Sequence, residues 1–240
     1  MTELASGRHH WRQWASPAYF DGLARRLVPV FATLAVIGFA AGFYLGFFLA
    51  PVDAVQGENY RIIYLHVPTS WMAMIIYLAM AFWSAVYLVW HTHLSAMLTQ
   101  ALAPTGALMT FLSLVTGALW GKPTWGTYWV WDARLTSMLL LFLLYLGFMA
   151  LTGSIRNEKR SFAAGSMVAL VGAFNVPLIY FSVSWWNTLH QGASISFERG
   201  VQMHDAMLAG LLLMTAGVWC YCIAIVLARV RVAIRARQAR

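Results

Sequence analysis

Apolar positions along this chain gather into six long continuous runs, roughly Leu27 to Leu49, Pro68 to Trp90, Leu98 to Trp120, Leu135 to Ile155, Ser161 to Val183 and Met203 to Val230. Each is about 20 residues or a little more, the length an α-helix needs to cross a hydrocarbon core of about 30 Å. The runs are unbroken and do not alternate with polar residues, so they predict membrane-spanning helices and argue against the strands of an outer-membrane barrel. The stretches between them are short, and neither a soluble insert nor an internal repeat is visible. The expected architecture is an all-α integral membrane protein with six transmembrane helices in one bundle. Residues 1–26 form an N-terminal segment, 27–230 the membrane domain, and 231–240 a basic tail.

Composition agrees with this pattern. Of the 240 residues 61% are hydrophobic and only 10% charged, more apolar surface than a soluble domain of this length can bury. Charge then gives the orientation, because Lys and Arg in short loops are retained on the cytoplasmic side. An even number of spans puts both ends together. On that side lie twelve of the sixteen basic residues: Arg8, Arg12, Arg25, Arg26, Arg156, Lys159, Arg160, Arg229, Arg231, Arg235, Arg237 and Arg240. Arg61, Lys122, Arg134 and Arg199 lie on the other, so both termini are predicted to be cytoplasmic. The net charge of +8 follows from this bias and from attraction to anionic headgroups, and requires no nucleic-acid partner. Arg25 and Arg26 before an apolar run resemble the start of a secretory signal, but the run is too long for a signal core and reads as a retained first helix. Cys220 and Cys222 are two apart in the last span and point to different helix faces, a poor arrangement for joint metal binding. There is no C-x-x-C-H, so the chain is not itself a c-type cytochrome.

With this topology, the residues capable of chemistry collect on the non-cytoplasmic face in three stretches. PVDAVQGENYRIIYLHVPTSW carries Asp53, Glu58, Arg61 and His66; WGKPTWGTYWVWDARLT carries Trp120, Lys122, Trp125, Tyr128, Trp129, Trp131, Asp132 and Arg134; WWNTLHQGASISFERG carries Trp185, Trp186, Asn187, His190, Gln191, Glu198 and Arg199. An interfacial aromatic belt explains isolated residues such as Trp71 and Trp90. Four tryptophans between Trp120 and Trp131 exceed what a belt requires. They suit a wide, flat, apolar cofactor whose faces indole rings cover while the indole N–H finds a polar partner.

Two histidines flank this cluster, and neutral imidazole is a common axial ligand of haem iron. His66 precedes Pro68, which suits the first turn of the second helix, and His190 lies in the third stretch. A single loop histidine is usually a polar surface residue; two on one face, framing a tryptophan cluster, point to a haem site. His9, His10, His91 and His93 read as solvated, and His204 is a possible substitute for His190. Lys122, Arg134, Arg61 and Arg199 are candidates to pair with haem propionates. Asp132 is equally suited to cap the fourth helix, with Arg134 pairing to a loop carboxylate. No Gly-rich phosphate loop, G-x-S-x-G or H-E-x-x-H is present, which disfavours conventional catalysis. Spans nearly free of ionisable residues also disfavour a transport pathway through this chain alone. Asn175 and Pro177 suggest either a kink in the fifth helix or a polar packing residue beside a tolerated proline.

WGTYWVWDARLT resembles the signature of the WWD haem-handling membrane proteins of bacterial and organellar cytochrome c maturation. YLHVPTSW and YFSVSWWNTLHQG resemble the flanking segments of the cytochrome c maturation protein C type, and six spans in 240 residues suit that type. The resemblance runs through most of the chain. It implies non-covalent, transient binding of b-type haem on the periplasmic face of the bacterial inner membrane, with the WWD loop at 120–136. His66 and His190 would be the axial pair, which makes them the metal ligands. Trp125, Trp129, Trp131, Asp132 and Arg134 would belong to the platform, with Trp120, Tyr128 and Lys122 beside it. Presentation to a membrane-anchored haem chaperone is implied, as are an ABC transporter and a small single-span subunit as partners. Whether the covalent attachment to the chaperone is promoted here is left open. Tyr128 departs from the type, where many members carry another Trp, and so does Met138, where an acidic residue is common. A membrane cytochrome b-like electron carrier and a haem transporter subunit are the competing readings.

Overall fold

The computed structural model describes residues 16–186, 190, 195–196 and 200–239. Helix α1 spans Pro17–Tyr44 and runs on into a π-helical turn, Leu45–Leu49. A 3-10 turn, Glu58–Ile62, leads into α2, Ile63–Trp90. Helices α3 (His93–Trp125), α4 (Ala133–Ser154), α5 (Glu158–Gly172) and α6 (Asn175–Trp185) follow, then a short antiparallel pair, β1 (Ile195–Ser196) and β2 (Gly200–Val201), and α7 (Asp205–Gln238). Among the described residues, six helical stretches are long and apolar enough to cross a membrane, α5 and α6 together forming the fifth. The six-span bundle expected from the apolar runs is therefore present.

Its boundaries differ from the expected ones in ways that matter for the site. The second span begins before Pro68, so His66 is the fourth residue of α2 and lies on a helix, not ahead of one. The third span continues through Pro123 and ends at Gly126, whose positive φ of 80° suits glycine at a helix C-terminus. Trp120, Lys122 and Trp125 are thus helical, and the irregular part of the stretch expected as a loop at 120–136 is only residues 126–132. Proline at 123 removes one bond of the final turns, a loss the helix end carries. The fifth span breaks after Gly172 and resumes at Asn175. Asn175 is buried there and donates through Nδ2 to the Ser137 carbonyl at 2.8 Å, so the kink and the packing role coexist.

Local sequence sets several helix starts. Thr92, Asp132, Asn157 and His204 each accept a hydrogen bond from a backbone N–H of the first turn of α3, α4, α5 and α7. His204 therefore has a capping role, bonded to Ala206 N at 3.1 Å. The core holds Tyr77, Met80, Leu141, Tyr145, Phe148 and Ile179, with the Tyr145 hydroxyl donating to the Ala73 carbonyl at 2.8 Å. At one end of the bundle Asp21 of α1 pairs with Arg231 at 3.0 Å and Arg235 at 3.6 Å, and Glu158 pairs with Arg237 at 2.6 Å. The start of α1, the end of α7 and the α4–α5 connection thus share one end, as the distribution of basic residues requires.

Lipid tails are as apolar as leucine, so helices in a bilayer associate by close packing between small residues. Gly38 and Gly42, four residues apart on α1, face α7: a Cβ at Gly38 would lie 2.8 Å from Gly217 Cα, and one at Gly42 would lie 2.7 Å from Met214 N, while Gly46 of the π turn faces the Tyr64 ring of α2, 2.8 Å from where its Cβ would be. Backbone atoms cannot yield at such distances. Gly42→Leu is expected to destabilise the bundle by about 1–3 kcal/mol, the usual range for overpacking. Thermal unfolding in detergent checks this, with Gly147→Leu, where nothing lies within 4 Å, as the control expected to unfold like the parent.

Candidate functional site

At the end of the bundle away from the Asp21 ion pairs, α2, α3 and α4 surround a cleft of about 1240 Å³, open mouth included. Helical spacing explains the walls. Ile63, His66, Val67, Ser70 and Met74 recur at three- and four-residue steps on one face of α2, and Ser113, Gly117, Trp120, Gly121 and Thr124 do so on α3. Arg134, Leu135 and Met138 of α4, Ile179 of α6, Trp125, Trp129 and His190 complete most of the lining.

The two histidine rings meet in this cleft with centroids 6.3 Å apart and planes tilted by 44°. His66 also meets Trp120 edge to face at 5.6 Å, and His190 meets Trp125 at 5.2 Å. His66 Nδ1 lies 3.1 Å from the Ser113 carbonyl and 3.1 Å from Thr116 Oγ1. A carbonyl only accepts, so Nδ1 carries the proton and Nε2 keeps its lone pair. His190 Nδ1 is buried with no hydrogen-bond partner among the described residues. The His190 pKa is pushed down to about 3, first by burial, then by the positive charge of Arg134 and by His66. Its ring is therefore neutral at physiological pH and can offer a lone pair to a metal. In the protein without ligand, the His190 ring should not take up a proton anywhere between roughly pH 5 and 8, where an ordinary histidine titrates. NMR of ring-labelled histidine checks this; a midpoint near the ordinary value would refute it.

The remaining tryptophans divide. Trp120 donates from Nε1 to Gln56 Oε1 at 2.6 Å, tying the end of α3 to the α1–α2 connection. Trp129 lines the cleft, and its indole N–H is buried without a partner among the described residues. Trp131 packs edge to face on Trp129 at 5.5 Å but is 75% exposed and does not line the cleft. Tyr128 and Lys122 also lie outside it: Lys122 donates to the Gly126 carbonyl at 3.1 Å and its Nζ sits 5.3 Å from the centre of the Tyr128 ring.

Asp132 accepts from Leu135 N at 2.7 Å through Oδ1 and is the cap of α4, while its Oδ2 is buried without a partner among the described residues. Arg134 lines the cleft and forms no ion pair among the described residues, so its expected pairing with a loop carboxylate is not found there. Arg61 is bound to Glu58 and the Gly46 carbonyl. Asn187, Gln191, Glu198 and Arg199 fall outside the described residues.

Several lining residues were not singled out by motif. Trp71, assigned to an interfacial belt, lines the cleft, as does Met138 at the position of departure from the family pattern. The signal for Ser113 and Gly117, and for Thr116, which bonds His66 without lining the cleft, was available: small or polar residues at three- and four-residue spacing inside an otherwise apolar span.

Comparison with known proteins gives consistent matches. Residues 10–240 match the family model described as "Heme exporter protein C". A protein of that name from Bradyrhizobium diazoefficiens is 44% identical over 226 residues, covering 94% of this chain and 86% of its own length. Another, from Haemophilus influenzae, is 41% identical over 227 residues, covering 95% and 92%. A mitochondrial protein of Marchantia polymorpha, named as a cytochrome c biosynthesis ccmC-like protein, is 48% identical over 177 residues, covering 74% and 75%. Identity at this level across nearly the whole chain means that it belongs to the heme exporter protein C family.

Proposed function

We propose that this protein binds haem as cargo in the cleft between His66 and His190 and presents it to a partner during the biogenesis of c-type cytochromes. The observation that carries this reading is the 6.3 Å separation of two imidazole centroids in a tryptophan-lined cleft. A ring nitrogen ligates a metal at roughly 2 Å and the ring centre lies about 1 Å further back, so two rings on opposite sides of one iron have centres about 6 Å apart. Donor chemistry agrees: His66 has Nε2 unprotonated, and His190 is held neutral.

The rest of the cleft suits the cargo's other parts. Trp120, Trp125 and Trp129 supply flat apolar surface, and the unpartnered indole N–H of Trp129 supplies a donor. Arg134, a cation without an ion partner among the described residues, suits a propionate, which it can bind in bidentate fashion. The exposed Trp131, Tyr128 and Lys122 stand outside the cleft, where an incoming partner would meet them. Delivery then proceeds by exchange of one axial histidine for a ligand of the partner, which requires the open mouth this cleft has.

The names of the relatives support the class of cargo, and the distribution of basic residues supports a cytoplasmic location for both termini, with the cleft facing the periplasm across the inner membrane. The partners we propose are a membrane-anchored haem chaperone, an ABC transporter and a small single-span subunit. Purified from haem-replete membranes, the protein should carry a Soret band that disappears when both histidines are replaced by Ala; an unchanged band refutes the reading.

One observation favours a second reading, that of a quinol-linked electron carrier: His66 lies on a helix within a span, as the ligands of such carriers do. His190, on the chain between α6 and β1, does not share that property. Reduction of the bound haem by a quinol in reconstituted membranes would support the carrier, and its failure supports the presentation role.

A further inference from the structure

We propose that Thr116, with Ser113 and Gly117 beside it, forms a socket on α3 that positions His66 and sets its strength as an iron ligand. The inference rests on the reading of His66 as an axial ligand. The three residues stand at i, i+3 and i+4 and so share one helix face. Each contributes a different thing. Gly117 provides room: a Cβ there would lie 3.0 Å from His66 Cε1. Ser113 provides a carbonyl 3.1 Å from Nδ1, and Thr116 provides an oxygen at the same distance.

The hydrogens can be assigned throughout this network. The Thr116 hydroxyl donates to the Leu112 carbonyl at 2.7 Å, one turn back, which commits its proton and leaves its lone pairs free to accept. The His66 Nδ1–H is therefore shared between two acceptors. A second chain fixes the backbone beneath the ring: the Ser70 hydroxyl donates to the His66 carbonyl at 2.7 Å, so the Ser113 hydroxyl donates to Ser70 Oγ at 2.6 Å. The ring is thus held in one tautomer and one orientation, and its donor strength rises with the electron density that two acceptors push onto it. A ligand strengthened in this way favours ferric over ferrous iron.

Thr116→Val removes the acceptor while keeping the shape of the side chain. With hemin added to the purified full chain in detergent, this variant is expected to bind roughly tenfold more weakly, at the lower end of the effect of such partners. Its bound haem should remain six-coordinate, with a reduction potential higher than that of the parent. Thr116→Ser, which restores the acceptor, should return both quantities to the parent values, a recovery that a merely structural role would not give. Equal affinity and potential in Thr116→Val and the parent overturn the socket, as does a Ser variant that behaves like Val. If hemin binding is unaffected by His66→Ala, the ligand assignment itself has failed; if His66→Ala abolishes six-coordinate binding while Thr116→Val matches the parent, only the socket has failed.

Discussion

His66→Ala and His190→Ala, made separately, are each expected to abolish the six-coordinate low-spin spectrum of bound ferric haem and to weaken hemin binding by more than roughly 100-fold, since even residues that merely orient a ligand are worth about 10–100-fold. The two rings face one cleft at 6.3 Å, so neither can replace the other across the iron. Removal of either imidazole leaves a gap of its own shape, and millimolar free imidazole should enter it and restore the low-spin spectrum. Spectral titration with hemin, with and without imidazole, checks both parts. A variant that keeps full affinity and a low-spin spectrum without imidazole contradicts the assignment for that residue. Rescue is the more discriminating part when it is read on haem that stays with the protein after unbound hemin is removed, because free hemin also turns low-spin with imidazole and a misfolded variant retains no haem in the cleft.

Arg134→Gln should have the next largest effect, lowering hemin affinity about 10- to 100-fold, the range for a hydrogen bond to a charged group. The guanidinium lines the cleft without an ion partner among the described residues, and its charge helps hold His190 neutral. Glutamine keeps a donor but removes the charge. Comparison with haem dimethyl ester isolates the cause: esterified propionates offer no carboxylate, so parent and variant should bind the ester with similar affinity. Equal weakening for acid and ester would mean that Arg134 supports the cleft without meeting the cargo's carboxylates. The exposed Lys122, occupied by the Gly126 carbonyl and the Tyr128 ring, should change affinity far less when replaced by Met.

Much of the fold was legible because a bilayer imposes simple rules: long apolar runs became helices, and most of the described basic residues collected at one end of the bundle. Helix boundaries were less legible. Pro68 and Pro123 look like boundaries, yet both lie inside helices. Near a helix end a proline removes a single backbone bond, and packing of the flanking side chains outweighs that loss. Extension of α2 and α3 through these prolines moves His66, Trp120 and Trp125 from loops onto helical faces, where their separation is fixed by 3.6-residue geometry.

Within the site, the residue types carried the chemistry: His66, His190, Trp120, Trp125, Trp129 and Arg134 do line one cleft. Trp131, Tyr128 and Asp132 stand in the same sequence stretch but do not line the cleft, since residues 126–132 turn after Gly126, and Lys122 lies on α3 with its ammonium held by the Gly126 carbonyl outside the cleft. Conversely, Trp71 and Met138 line the cleft although a lone Trp in an apolar span does not mark it, and Met138 stood out only as a departure from the family pattern. Thr116 is hidden for a related reason: a threonine in a membrane helix usually bonds its own backbone, which it does here, and its second bond to His66 depends on α2 and α3 being neighbours.

The central claim is that one iron sits between His66 and His190, and low-temperature electron paramagnetic resonance of the ferric haem complex tests it most directly. The expected spectrum of the parent is low-spin with the signature of two imidazole ligands, converting to high-spin in His66→Ala and in His190→Ala alike. A low-spin bis-imidazole signal that survives in either variant would contradict it.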